Sequence, residues 1–297
     1  MDSGRRPGAI SVGLVHRILT EQENTRALAR SRHCSTETIR RRCRLACEHL
    51  VQTTILPTLP PAWDQPLAII VDGLQCRFDN EPWVFYNMAV KPAGISIGFF
   101  LEPVLIPGRE EYRHWCQALA TIPDWIRERV RALVSDGLPG FKQIAATNGW
   151  VLQRCHRHLD VFLWGCSSPY RKHRLRGGKL REVIIKAVRE IRTTPDRRRV
   201  DELREVLLDC SRQPELAVRV RGIVRRLLHD LVLFRTYLDY PELTLPTTTN
   251  AVESRNSLLR NILRCVNNPS AALLRVRAYT RQHPTITCNG HENPQHF

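Results

Sequence analysis

The chain has 297 residues, room for one large domain or two, and its 42% hydrophobic content is that of a globular protein. A formal net charge of +16 with a pI near 10.0 is not that of a typical metabolic enzyme and favours a polyanionic partner, nucleic acid first. The opening "MDSGRRPGAI" lacks the apolar core of a signal peptide, and "LAIIV" and "LVLF" are too short to span a bilayer; no membrane partner is expected, and the expected location is cytoplasmic and nucleoid-associated.

Residues 1–55 are Arg-rich and helical in pattern. "NTRALARSRHCSTETIRRRCRLACEHL" predicts a short helix, a break around His33–Cys34, and a second helix capped by Ser35. Ile39, Cys43, Ala46 and Leu50 form its apolar stripe, and Arg40, Arg41, Arg42 and Arg44 cover the rest. This is the pattern of a helix-turn-helix, a small DNA-binding region whose second helix enters a major groove. A plain helical pair with a solvated basic face fits the same residues, because the turn has no clear glycine.

A Pro-rich linker spans 56–66. The β-branched and aromatic runs 67–73, 83–90 and 95–106 then predict three consecutive strands. A helical stretch (109–130), a fourth strand (131–137), a helix (141–148) and a fifth strand (150–155) follow, so the first part of a core occupies 67–167. Strands stop over 168–245, where 179–192, 199–212 and 216–238 read as amphipathic helices. Segment 171–199 is strongly basic, with Arg171, Lys172, Arg174 and Arg176 at its head. A charge run is usually a solvated face, but one this lopsided is a candidate phosphate track.

The core closes over 246–281 with a helix opened by Asn250, whose Leu258, Leu259, Ile262, Leu263 and Val266 supply a buried stripe. A loosely ordered tail is expected over 282–297. The element order is therefore α/β, with a helical block before the last core helix and a small helical region in front of the first strand. The ten cysteines form no Cys-x-x-Cys pair and are expected as free thiols. Phosphate-cradling GxxxxGK[ST] and GxGxxG motifs are absent, which disfavours an NTPase or a dinucleotide enzyme.

Asp72 and Asp136 each end a predicted strand and each precede a glycine. Asp-Gly is also a preferred hairpin turn, so either pair alone has a structural explanation. Glu253 lies three residues after Asn250, where a capping-box glutamate would sit. Taken together, two strand-end aspartates and a helix glutamate can converge at one sheet edge. Three bare carboxylates in one place repel, at about 4 kcal/mol per pair 4 Å apart in a dielectric near 20. Convergence therefore implies cations, and oxygen-only ligation suits Mg²⁺ or Mn²⁺. Two such ions ~3.5–4 Å apart suit phosphodiester displacement.

The run "AIIVDG … ALVSDGLPGF … LQRCHRHL … LPTTTNAVESRNSLLR" resembles the Mutator-type DDE transposases of bacterial insertion sequences, over about residues 66–280. The resemblance implies a ribonuclease H-like core with a helical insertion before the last acid. It implies Asp72, Asp136 and Glu253 as catalytic acids holding two Mg²⁺ or Mn²⁺ ions. Arg154, Cys155 and His158 match the family's Cys-x-x-His element, and Thr249, Asn250 and Asn256 its signature around the glutamate. Cys155 and His158 are half of a zinc site with no convincing second half. The implied partners are double-stranded DNA, as terminal inverted repeats and target, and a second copy of the chain. The region before the first core strand is short compared with many relatives. Two other readings stay open: a DNA-binding protein without catalysis, and a structure-specific nuclease such as a junction resolvase.

Overall fold

The computed structural model describes residues 25–56, 64–165, 178–264 and 266–288. The chain begins with α1 (Thr25–Ser31) and α2 (Thr36–Thr53). His33 turns the chain at φ 50, and Ser35 accepts from the Thr38 backbone N–H at 3.0 Å, the expected cap. The pair does not stand apart from the core. Ile39 and Cys43 bury against Leu28 and Ala29, while Cys47 packs with Phe78, Leu259, Ile262 and Val276 of the elements below. Arg40, Arg41 and Arg44 are exposed and Arg42 is half-buried; Arg40 and Arg44 meet Glu37 and Glu48 of the same helix.

A seven-stranded sheet follows, β1 (Leu67–Phe78), β2 (Glu81–Pro92), β3 (Ile97–Phe100), β4 (Val104–Pro107), β5 (Val130–Ser135), β6 (Val151–Arg154) and β7 (Thr285–Thr287). Its order is β6-β5-β1-β2-β3-β7, with β4 also on β2. β6, β5 and β1 run parallel; β2 is antiparallel to β1, β3 and β4. Both faces of β1 are covered, which is why "LAIIV" shows no polar alternation. Leu67, Ile69 and Val71 face Trp115, Ala118 and Ile144; Ile70 and Leu74 face Val252 and Leu259.

Several expected boundaries move. Asp72 does not end a strand: β1 continues as a hairpin with β2, Asp72 opposite Asn87, and turns at Asp79–Asn80, both at positive φ. The parallel pairing with β5 reaches only Ile70↔Val134, so Asp72 sits just beyond it. The run 95–106 is two strands, because pairing to β2 passes from Ala89↔Phe100 to Tyr86↔Val104 and one side carries an extra residue. Pro103, without an N–H for the ladder, lies in that break.

On one side of the sheet lie α3 (Tyr112–Ala120), α4 (Asp124–Arg127) and α5 (Phe141–Asn148). After β6 comes α6 (His156–Gly165), then α7 (Gly178–Thr193), α8 (Arg197–Arg212), α9 (Val218–His229) and α10 (Leu231–Asp239). These helices share their own core, including Leu159, Ile184, Leu207, Val224 and Phe234. The expected helix 216–238 is broken at Asp230, which is buried against Lys142 and Arg154. Arg171, Lys172, Arg174 and Arg176 lie outside the described residues.

The chain ends with α11 (Asn250–Leu263) and α12 (Pro269–Gln282) on the other side of the sheet. Of the stripe expected on α11, Leu259, Ile262, Leu263 and Val266 are buried, but Leu258 is 52% exposed. Beyond α12, β7 pairs with β3, so the expected loose tail contains an ordered strand. Among the described residues eight cysteines are free, and no helix is long and apolar enough to cross a membrane.

Candidate active site

Asp72, Asp136 and Glu253 come from three elements and line one cavity of about 2550 Å³. Asp72 points from β1 toward α11. Its Oδ2 accepts from Asn256 Nδ2 at 2.6 Å, and Asn256 Oδ1 accepts from Asn87 Nδ2 at 2.6 Å. Asn256 is 1% exposed, so this relay fixes Asp72 from the sheet and the helix at once.

Asp136 follows β5. Its Oδ1 accepts from the Leu138 N–H at 3.1 Å, which closes a local turn. Gly137 has φ 94, and a Cβ there would fall 2.0 Å from Arg154 Nη2. The Asp136–Gly137 pair is thus a tight bend over the Arg154 guanidinium. Arg154 itself ion-pairs with Asp230, which also binds Lys142 Nζ at 2.6 Å.

Glu253 lies in the first turn of α11. The capping-box reading fails on position: Thr249 is the N-cap, so Glu253 falls one residue too late. Asn250, expected as the cap, is the first helical residue and lines the cavity. Glu253 Oε1 instead accepts from the Thr249 hydroxyl at 2.6 Å and lies 4.0 Å from Cys155 Sγ. His158 Nδ1 is 3.3 Å from the same oxygen without hydrogen-bond alignment. Donor atoms of Cys155, His158 and Glu253 all fall within 4.8 Å of one another. Cys155 Sγ accepts from the Thr249 N–H at 3.3 Å and lies 3.3 Å from Thr249 Oγ1, and burial pushes its thiol up to about 11. Thr249, Cys155 and His158 thus surround the Glu253 carboxylate at the edge of the cavity.

Burial, the Glu253 charge, and the charges of Asp136 and Glu110 push the Asp72 carboxyl up to about 8, against the opposing hydrogen bond from Asn256. Glu110, just before α3, also lines the cavity, and no sequence pattern marked it. An acid that holds its proton this firmly sits in a field that a multivalent cation would relieve. The donor set near Asp72 is oxygen-rich and so fits Mg²⁺ or Mn²⁺.

Basic side chains line the cavity as well. Arg181, Lys186 and Arg189 of α7, Arg157 of α6 and Arg260 of α11 line the same cavity. Lys186, Arg189 and Arg260 are exposed. Glu182 and Glu190 also line it, but Glu190 is held by Arg199 Nε at 2.6 Å. Arg192 is turned away from this role by its bonds to Asp160 and the His156 carbonyl. Neither a family model nor a curated protein matches this chain.

Proposed function

We propose that the chain is a DDE-type DNA transposase, similar to the Mutator-type enzymes of insertion sequences, that cuts element ends and joins them to target DNA. The observation that carries this reading is the meeting of Asp72, Asp136 and Glu253 in one cavity that basic side chains also line. Support also comes from the mixed sheet, in which the β1–β2 hairpin is flanked by parallel β5 and β6, with a helical block between Asp136 and Glu253. That arrangement suits a ribonuclease H-like core with an insertion.

Two divalent cations held by Asp72, Asp136 and Glu253 would stabilise the attacking and leaving oxygens of a phosphodiester displacement. The chain's own residues set the stage for that chemistry. Asn256 holds Asp72 in one rotamer, and Thr249 with Cys155 and His158 holds Glu253. Lys186, Arg189 and Arg260 offer charge to backbone phosphates. The exposed Arg40, Arg41 and Arg44 of α2 offer a second DNA contact, suited to an element end.

The test uses linear duplexes carrying the DNA that flanks the reading frame on both sides, incubated with Mg²⁺. Cleavage at defined ends and joining to a target plasmid are expected, with both lost in Asp72→Asn and Glu253→Gln while DNA affinity persists. Binding without cutting would favour a non-catalytic DNA-binding protein. Cutting of branched DNA of any sequence, without joining, would favour a junction nuclease.

A further inference from the structure

Glu110 occupies a place that the three-acid reading leaves unexplained. Its carboxyl carbon and both oxygens lie 2.6–2.7 Å from where a Cβ on residue 73 would stand. The glycine after Asp72 therefore makes no turn. It is an opening in β1 through which a carboxylate reaches the strand. Side chains alternate along a strand, so residue 73 faces the side opposite to Asp72. Glu110 thus approaches Asp72 from the α3 side of the sheet, while Glu253 approaches from the α11 side.

Glu110 is also held in place. Its Oε1 accepts from Trp115 Nε1 at 2.9 Å, and Trp115 is 1% exposed, wedged against Tyr86 and Phe141. Satisfying one indole N–H takes a single acceptor. A carboxylate has about four acceptor positions, and among the described residues Glu110 receives only this bond. The remaining capacity faces the cavity shared with Asp72 and Asp136.

We propose that Glu110 is a fourth carboxylate of the centre, sharing divalent cation with Asp72 and Asp136, and that residue 73 is glycine to admit it. This rests on the cation-binding reading above. Trp115 is the positioning residue that keeps the carboxylate over Gly73.

The test is Mn²⁺ binding to the full chain by calorimetry, with no DNA present. Glu110→Gln retains an oxygen for Trp115, so the fold is preserved, and Mn²⁺ affinity should fall roughly tenfold. Gly73→Ala should do the same, because its new methyl group displaces the Glu110 carboxylate rather than any backbone. The double variant should be no weaker than either single one. Mg²⁺-dependent cleavage should fall in parallel. If Asp72→Asn abolishes Mn²⁺ binding while Glu110→Gln binds like the wild type, the fourth acid is refuted and the three-acid centre stands. Additive losses in the double variant would refute the explanation of Gly73. If the wild type binds no Mn²⁺, the cation reading fails and this inference fails with it.

Discussion

A carboxyl that keeps its proton to about 8 makes the folded state sensitive to pH in a predictable direction. Asp72 titrates near 3.8 in an unfolded chain, so between those values the folded, cation-free protein binds more protons than the unfolded one. Stability from this residue is fully present below pH 3.8 and is lost as pH rises through 8. In EDTA, urea denaturation of the wild type should therefore move to lower midpoints across that window, and Asp72→Asn should show a smaller decline. Added Mg²⁺ should restore the midpoint at the alkaline end for the wild type. Equal slopes in the two proteins would contradict the assignment. At this scale the sequence was partly legible. Asp72, Asp136 and Glu253 stand out only as a set, since Asp-Gly alone reads as a turn and Glu253 alone as a capping residue. Glu110 does not, since "REEYR" distinguishes it from Glu111 by nothing local; only Trp115 and the gap at Gly73 single it out.

Elements show where tertiary contacts override pattern. Strand positions followed from β-branched runs, since burial on both faces selects such residues. The misplaced boundaries have physical causes outside the window: Asp72–Gly73 was open to reading as a hairpin turn, and the helix 216–238 read as unbroken. At Asp230 the break is made by a buried ionic cluster. Asp230 is 6% exposed and holds Arg154, which is 9% exposed, together with Lys142 and the exposed His229. The cluster joins the helical block to the bend at Asp136–Gly137. Asp230→Ala would strand the Arg154 charge in a dry site, a change that costs about 3–5 kcal/mol when one partner of a buried pair is lost. A comparable drop in unfolding free energy is expected by urea denaturation, with Arg154→Met/Asp230→Leu recovering part of it. A loss below about 1 kcal/mol would mean that the cluster is hydrated and does not brace the insertion.

Across the whole molecule, the charge of +16 and the acidic cavity oppose each other. On the transposase reading, positive charge would draw a polyanion to the surface at long range, while the ionised carboxylates of the cavity would repel a phosphate where it must come closest. Divalent cation removes that local repulsion without altering the distant surface. DNA affinity should then rise when Ca²⁺, chosen because it supports binding with little cutting, replaces monovalent salt at constant ionic strength. At about pH 9, where Asp72 has lost its proton, the gain should shrink in Asp72→Asn and Glu253→Gln, which begin with less repulsion and bind more tightly than the wild type in EDTA. Constant ionic strength is essential, because counterion release alone changes affinity by orders of magnitude over ordinary salt ranges. Fluorescence anisotropy on a short duplex measures each of the three proteins in EDTA and in Ca²⁺. An identical Ca²⁺ response in wild type and variants would mean that DNA never approaches the carboxylates, and it would leave the basic exterior as a surface for binding alone.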